Sequence, residues 1–252
     1  MRINKDREIG YVIYIVEGSS TEFNLLKRIF CGVLGFEYIE KRRNSGRFFE
    51  VKKDNGFFRS KIAVINTSNS NITDISDEEY LDELFELLIN EFHFPVDKAT
   101  IYYLFDRDPG SNKAEDVRRY VEMLRNPIDN ADGMKAGLLL LSYPCIESYL
   151  VSSFCKNAYR VEFGIGNRLK QFIGQNNFIQ MNKITEETLL WAADEFLSYL
   201  TNLKLVFDLD DFADTSLIVF DKQEEKYGRE QVFSLFSMLS LSFIQMGIIE
   251  LD

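Results

Sequence analysis

The chain contains a single histidine among its 252 residues, and this scarcity limits the chemistry open to it. His93 stands in the segment NEFHFP, between Phe92 and Phe94. A serine-type triad and a histidine-rich zinc site both need an imidazole placed among partners, so neither is expected here. We predict a structural role for His93, and any chemistry must then come from carboxylates, hydroxyls and a metal.

Cysteines are also few, and they show no metal-binding spacing. Cys31, Cys145 and Cys155 are odd in number, and the two nearest in sequence are ten residues apart. This usage is typical of reduced thiols inside a cell, where disulfides are rare. We therefore expect all three to be structural, as buried free cysteines generally are.

Long apolar runs are absent as well. No run approaches the roughly 20 residues needed to span a bilayer. The opening segment MRINKDREIG leads directly into a strand pattern, without the apolar region and cleavage site of a secretory signal. The expectation is a soluble, cytoplasmic protein.

Basic residues are in the minority, with 29 Lys and Arg against 40 Asp and Glu, for a net charge of −11. A stand-alone, non-specific nucleic-acid binder usually has the opposite balance, because Lys and Arg make the phosphate contacts. The local basic cluster KRRNSGRFFEVKK, residues 41–53, is either a contact surface or a solvated hairpin.

What the chain does contain is an alternation of strand and helix patterns in its first half. Its four apolar strand segments are YVIYIV (11–16), KIAVIN (61–66), ATIYYLFDRDPG (99–110) and AGLLLLSYP (136–144). Each is followed by a helical pattern, beginning near residues 20, 76, 113 and 145. Residues 36–60, with turn signals at Ser45-Gly46 and Asn55-Gly56, predict an irregular or hairpin insertion. The expected class is α/β, with a mainly parallel sheet flanked by helices.

The second half changes to helix-rich segments, including residues 186–203 and 229–246. We predict one domain over 8–156, carrying the insertion at about 36–60, and a helical C-terminal subdomain over 157–252. With 46% hydrophobic residues the chain can bury a core, and length alone is compatible with one large domain or with one domain and an appendage.

Acidic residues fall at or just after the ends of the predicted strands. They are Glu17, Asp106, Asp108 and Glu147. Ligands of a parallel sheet bind beyond the carboxyl ends of its strands, and four carboxylates there would repel one another without a cation. Hard oxygen ligands suit Mg²⁺ or Mn²⁺, held by one or two carboxylates together with substrate phosphates. The pattern predicts a metal site that acts on a phosphodiester.

The surrounding residues fit this interpretation in part. If the third strand persists, Asp106 and Asp108 project to the same side. Gly18 permits a tight turn after Glu17, and the helix behind it directs amides toward a possible phosphate. Glu22 is either a substrate-site residue or a helix-capping acid. Lys113 could stabilise developing charge, whereas Arg107, lying between two acids, more plausibly faces away from them.

The segments YIVEGSSTE and YYLFDRDPG together resemble the Toprim domain, which is shared by topoisomerases, bacterial primases and OLD-type nucleases. The fuller match is to the RloB-like and AriB-like group of prokaryotic defence proteins, in which the first motif has the form EGxxTE and the later strand runs into a segment like SYPCIESYL. The resemblance covers roughly residues 10–156, and the helical remainder carries no matching motif.

This resemblance implies a Toprim-like fold and a Mg²⁺- or Mn²⁺-dependent endonuclease whose substrate is RNA, with tRNA as one candidate, or DNA. It implies a toxic effector of anti-phage defence and abortive infection, working as a homodimer beside an ABC-type ATPase. By position, Glu17, Asp106 and Asp108 match the metal-binding residues, and Glu147 matches the acid after the fourth strand. Gly18, Glu22 and Lys113 are assigned to substrate binding.

Other functions remain open from the sequence. A topoisomerase would use a tyrosine nucleophile, but the chain is short for the DNA-gating domains. A primase would bring a zinc module, which these cysteines do not form. A protein of a different class, a non-catalytic Toprim-fold sensor or interaction protein, is compatible with the acidic composition. Changing Glu17 to Gln or Asp106 to Asn separates that alternative from a nuclease.

Overall fold

The computed structural model describes residues 1–18, 20–39, 48–54, 59–66, 78–128, 137–209 and 212–251. The strands within these ranges are β1 (Arg2–Ile3), β2 (Tyr11–Val16), β3 (Glu37–Ile39), β4 (Phe48–Asp54), β5 (Arg59–Asn66), β6 (Ala99–Asp106), β7 (Leu138–Tyr143), β8 (Glu162–Phe163), β9 (Phe233–Ser234), β10 (Phe236–Ser237) and β11 (Ile249–Glu250). The α-helices are α1 (Thr21–Lys27), α2 (Glu78–Asn90), α3 (Ala114–Met123), α4 (Glu147–Ser152), α5 (Gly166–Gln175), α6 (Glu186–Asn202), α7 (Ala213–Glu230) and α8 (Leu239–Gln245). A π-helical segment, Arg28–Val33, continues α1, and 3₁₀ turns occur at Val96–Lys98, Ala158–Arg160 and Met181–Lys183.

Seven strands form one sheet in the order β10-β7-β6-β2-β5-β4-β3. At its centre β2 runs parallel to both neighbours, with Tyr11 paired to Lys61 of β5 and to Ala99 of β6. Toward the edges, β4 is antiparallel to β5, β3 to β4, and β10 to β7. The α/β class with a mainly parallel central sheet and flanking helices is therefore confirmed, and antiparallel strands extend it on both sides.

The central strand β2 forms because almost every residue in it is apolar and suited to a pleated surface covered on both faces. Val12 to Val16 are fully buried, and Tyr14 stacks on Tyr102 of β6 with ring centroids 5.4 Å apart. A strand buried on both faces reads as a continuous apolar run, which is the pattern of this segment. Its predicted bounds, 11–16, are those observed.

The insertion predicted at residues 36–60 contains two strands of the sheet edge. β4 pairs antiparallel with β5 from Phe48 and Ile65 to Asp54 and Arg59, which confirms the hairpin interpretation for this pair. The turn signals Ser45-Gly46 and Asn55-Gly56 lie outside the described residues, as does most of the basic cluster at 41–53.

The chain folds as two compact units, each assembled from segments that are separated in the sequence. Unit 1 comprises Met1–Arg7, Phe105–Glu122 and Leu140–Asp252, and unit 2 comprises Glu8–Leu104 and Met123–Leu139. The predicted domains, 8–156 and 157–252, are contiguous instead. The functional boundary near residue 156 stays a prediction.

The C-terminal part is rich in helices, but one predicted helical segment is wrong. α6 matches the predicted 186–203 closely, and its Thr185 N-cap forms a reciprocal capping box with Thr188. Residues 229–246, by contrast, are divided among the end of α7, β9, β10 and α8. Gln231 adopts a left-handed backbone, φ 58°, and ends α7 there. Buried Phe233 and Phe236 then stand beside serines in two short strands, where β pairing takes over from the helix.

No helix in the described part of the chain combines the length and the apolar character needed to cross a membrane.

Candidate metal centre

The first predicted motif lies in unit 2. Glu17 directly follows β2, is half-buried, and its backbone N–H donates to the Leu104 carbonyl at 3.3 Å. Val16, the last residue of β2, pairs with Leu104 of the parallel strand β6. Glu17 therefore lies at the carboxyl end of β2, as the sequence pattern predicts. The role of Glu17 as a metal ligand stays a prediction.

Gly18 lies close to the carboxylate end of the Glu22 side chain. A Cβ on Gly18 would lie 2.6 Å from Glu22 Oε2 and 3.1 Å from the carboxyl carbon, closer than non-bonded atoms allow. Glu22 is buried in the first turn of α1. A phosphate held at this turn would meet the Glu22 carboxylate, so the contact supports a role for Gly18 in seating Glu22 more than one in cradling a phosphate.

We expect Gly18→Ala to lower the free energy of unfolding by about 1–3 kcal/mol, the usual cost of overpacking. The new methyl group would force Glu22 out of its buried position. The cost should fall in a Glu22→Ala background, because the clashing carboxylate is then absent. Urea denaturation of the four proteins in this double-mutant cycle measures the coupling, and equal costs in both backgrounds would show that Glu22 is not the obstacle.

The second motif places Asp106 in unit 1, at the last residue of β6. Its Oδ1 accepts a hydrogen bond of 2.7 Å from the backbone N–H of Ile146, just after β7. This bond orients the carboxylate and joins the end of one strand to the loop after another. Asp106 thereby lies next to the segment SYPCIES, which contains the remaining predicted acid.

Three side chains meet at this point. One ligand atom each of Asp106, Cys145 and Glu147 lies within 4.8 Å of those of the other two. Cys145 and Glu147 are buried, and Asp106 is partly exposed. The Glu147 side chain is only 9% exposed, and its Oε2 atom has no hydrogen-bond partner in the described part of the chain. A buried carboxylate oxygen left in this state is destabilising unless a cation or another donor reaches it.

A cation lies at the rim of this cluster. It is Lys170 of α5, whose Nζ lies 3.5 Å from Glu147 Oε1 with half of the lysine side chain exposed. Burial, and then the neighbouring Asp106 and Glu147, raise the pKa of the Cys145 thiol. For Lys170, partial burial works to lower the pKa, but Glu147, Cys145 and Asp106 outweigh it and raise the pKa overall. The cluster therefore has a negative electrostatic potential, and the positive charge of Lys170 partly neutralises it.

The thiol is placed by the start of α5. A Cβ on Gly166 would lie 3.0 Å from Cys145 Sγ and 3.3 Å from Cys145 Cβ, so glycine lets the first residue of α5 approach this closely. The backbone of α5 thus fixes the thiol beside Glu147 and presents Lys170 from the next turn.

Asp108 is not part of the cluster among the described residues. β6 ends at Asp106, so the premise that a continuing strand would point both aspartates to one side does not hold. Asp108 instead closes a turn, accepting from Gly110 N–H at 3.0 Å through Oδ1 and from Ser111 Oγ at 3.1 Å through Oδ2. Its assignment to a metal site stays a prediction from the motif.

Arg107 is buried and engaged elsewhere in unit 1. Its Nε and Nη2 donate to the two carboxylate oxygens of Glu224, on α7, at 2.5 and 2.7 Å, and its Nη1 donates to the Asn112 carbonyl at 3.0 Å. The expectation that Arg107 faces away from its acidic neighbours agrees with this geometry. Lys113 is exposed just before α3, so its predicted substrate role has neither support nor contradiction.

The structure thus brings Asp106 and Glu147 together and adds two residues that sequence reasoning missed. Cys145 was predicted to be merely structural, although its position two residues before Glu147 at a strand end was a usable signal. Lys170 carried no such signal, because α5 reaches the cluster only through the tertiary fold. Cys31 and Cys155 are free and half-buried, outside this cluster.

Comparisons with protein-family models, with curated proteins and with solved structures gave no match to this chain.

Proposed function

We propose that this chain is a divalent-cation-dependent endonuclease that hydrolyses phosphodiester bonds of RNA or DNA. The observation that carries the proposal is the meeting of Asp106 and Glu147 at the ends of β6 and β7, where a Glu147 oxygen is buried without a hydrogen-bond partner among the described residues. One or two carboxylates are the usual protein contribution to a Mg²⁺ or Mn²⁺ site that completes its coordination with waters and substrate phosphates.

The two carboxylates of the cluster fit such an ion. Asp106 and Glu147 offer oxygen ligands, and the Ile146 N–H holds the Asp106 carboxylate in place. A cation bound at Glu147 Oε2 would give this buried oxygen an interaction that it lacks among the described residues. A divalent cation bound there would act as a Lewis acid toward the phosphate and lower the pKa of the attacking water.

The chain's own residues would position the substrate around this pair. The Lys170 ammonium lies beside Glu147, is half exposed, and keeps its proton, so it can attract a phosphate to the carboxylates. Glu17, at the carboxyl end of β2, is the further acid that the EGxxTE motif assigns to the reaction, and its contribution rests on the sequence alone.

The motif order supports a biological role for this activity. Because EGSSTE and DRDPG resemble the Toprim motifs of the RloB-like and AriB-like group, we propose a toxic defence effector, controlled by an ABC-type ATPase, with tRNA among the candidate substrates. The acidic composition, with a net charge of −11, favours an enzyme that a partner presents to its substrate over an independent nucleic-acid binder.

The test is expression in cells, followed by sequencing of RNA and DNA ends, with Glu17→Gln, Asp106→Asn and Glu147→Gln variants compared with Asp221→Asn. Asp221 lies in an exposed ion pair with Arg118 and serves as the matched acid-to-amide control. New ends that appear with wild-type and Asp221→Asn, and disappear with Asp106→Asn and Glu147→Gln, would support the proposal. Ends unaffected by those two substitutions would mean that the cluster is not catalytic, and a protein without any cleavage would favour the interaction-protein alternative.

A further inference from the structure

The ligand cluster at the ends of β6 and β7 contains a donor that Mg²⁺ does not use. Magnesium and manganese prefer oxygen, whereas thiolate sulfur selects softer cations such as Zn²⁺. Cys145 Sγ lies within 4.8 Å of the carboxylate ligand atoms of both Asp106 and Glu147. A magnesium ion would not use this sulfur, which lies buried against the start of α5.

We infer that Asp106, Cys145 and Glu147 form a three-ligand site for a thiophilic divalent cation of the Zn²⁺ type. This inference rests on the proposed function for its location and changes the identity of the metal. Three protein ligands with a fourth position left for water are the usual arrangement of catalytic zinc. The fourth position would then be open to the substrate.

The separation of the ligands suits this ion after a small adjustment. Oxygen and sulfur ligands at zinc distances in a tetrahedron are roughly 3.5 Å apart. The ligand atoms here lie within 4.8 Å of one another, so rotations that move them by about 1 Å would close the site. On binding, the Cys145 S–H bond is replaced by a metal–sulfur bond and the proton leaves to solvent.

One observation favours a cation at this cluster, and a second describes how closely the thiol is packed. Glu147 Oε1 is paired with Lys170 and the Cys145 thiol lies beside the carboxylate, but Oε2 is buried and has no hydrogen-bond partner of normal geometry within the described ranges, so a metal at Oε2 would add an interaction. Gly166 allows the backbone of α5 to lie against Cys145, where any Cβ would stand 3.0 Å from Sγ. The backbone of α5 therefore bounds the thiol on one side.

Co²⁺ is the appropriate probe, because a thiolate ligand gives it a charge-transfer absorption that oxygen ligands do not give. Full-length protein freed of metal with a chelator is titrated with Co²⁺, and the bound Co²⁺ is then competed with Zn²⁺ or with Mg²⁺. We expect one equivalent of Co²⁺ with a thiolate band, displacement by stoichiometric Zn²⁺, and no displacement by a large excess of Mg²⁺.

Cys145→Ser should abolish the thiolate band and weaken Zn²⁺ binding at least about 100-fold, since even residues that only support a ligand contribute about 10–100-fold. Cys155→Ser is the matched control, a second thiol of unit 1 outside the cluster, and should retain the band. A band that survives Cys145→Ser, or that never forms in the wild-type protein, would refute the inference. Circular dichroism checks folding, and if Cys145→Ser does not fold, Glu147→Gln must lower Co²⁺ affinity in its place.

Failure of this inference is distinguishable from failure of the proposed function. Cleavage that Mg²⁺ supports and that Asp106→Asn abolishes, in a protein that gives no Co²⁺ thiolate band, would support the nuclease function and refute the zinc site. A Co²⁺ thiolate band in a protein that cleaves neither RNA nor DNA with any metal would support the zinc site and refute the nuclease function.

Lys170 provides an independent prediction about the same site. Its ammonium, 3.5 Å from Glu147 Oε1, repels an incoming cation and partly neutralises the cluster in its absence. Lys170→Gln should therefore tighten Zn²⁺ binding by roughly three- to tenfold, a modest effect because the side chain is half exposed to screening solvent. Competition titration measures the change, and weaker binding in this variant would contradict a metal at Glu147.

Discussion

On the proposed function, Asp106→Asn is expected to lower metal-dependent cleavage at least about 100-fold while leaving the fold unchanged, because it removes a proposed ligand of the metal, whose Lewis acidity would stabilise the transition state by several kcal/mol. The substitution is nearly isosteric. Its amide oxygen can still accept the 2.7 Å hydrogen bond from the Ile146 N–H, so the loop after β7 should stay in place. Glu147→Gln should have an effect of the same order, since Glu147 supplies the other carboxylate.

Asp108→Asn is the informative comparison. The Toprim-like motif assigns both aspartates to the metal, which predicts comparable losses for the two variants. The turn geometry predicts a smaller loss at Asp108, whose Oδ1 bond to the Gly110 N–H an asparagine can keep. Steady-state cleavage rates at saturating Mg²⁺ or Zn²⁺, together with circular dichroism spectra, measure both variants. Equal losses would support the motif's assignment of Asp108 over the turn geometry. An undiminished cleavage rate in Asp106→Asn would show that the cluster is not catalytic.

Glu224→Gln is expected to lower the free energy of unfolding by about 3 kcal/mol, because it leaves a buried guanidinium without its counter-charge. The Arg107 side chain is 3% exposed and that of Glu224 is 19% exposed. Arg107 also lies over the Phe233 ring, 5.6 Å from its centroid, so it cannot reach solvent without unpacking β9. The same Glu224 charge is a secondary cause, after burial, of the raised pKa of Tyr143.

Asp221→Asn on the same helix is the matched control. Asp221 pairs with Arg118 at 2.6 Å, but both side chains are 46% exposed, so water screens the interaction. We expect almost no change in stability from this variant. Urea denaturation of both proteins makes the comparison, and similar midpoints would mean that burial does not control the strength of the Arg107 pair.

A double substitution tests whether the unpaired buried charge of Arg107 causes the loss of stability in Glu224→Gln. Replacing Arg107 and Glu224 together by methionine removes the charge and its counter-charge at once, which should cost less than Glu224→Gln alone. If the double variant were less stable than the single one, the pair itself, and not the penalty for an unpaired buried charge, would be the source of stability.

Much of the sheet could be predicted because each of its central strands has a recognisable apolar pattern in a short stretch of sequence. YVIYIV is a strand covered on both faces, and its apolar residues need no knowledge of the rest of the fold to indicate burial. The same holds for α6, whose Thr185 cap and periodic apolar face define the helix locally. The helix prediction for residues 229–246 was wrong because their apolar residues are compatible with both helix and strand. Contacts between residues distant in sequence decided between the two. Phe236, for example, pairs with Tyr143 of β7.

The site divides in the same way. The sequence by itself determined that acids stand at strand ends, since Glu17, Asp106 and Glu147 each follow an apolar run, and strand direction places such residues at the carboxyl edge of a parallel sheet. Only the tertiary structure decided which groups share a site. It paired Arg107 with Glu224 across 117 residues of sequence, joined Asp106 to the segment after β7 through the Ile146 N–H, and brought Lys170 to Glu147 through the packing of α5. Local pattern specifies where a side chain leaves a strand, but the distances between ligands depend on contacts between segments far apart in sequence.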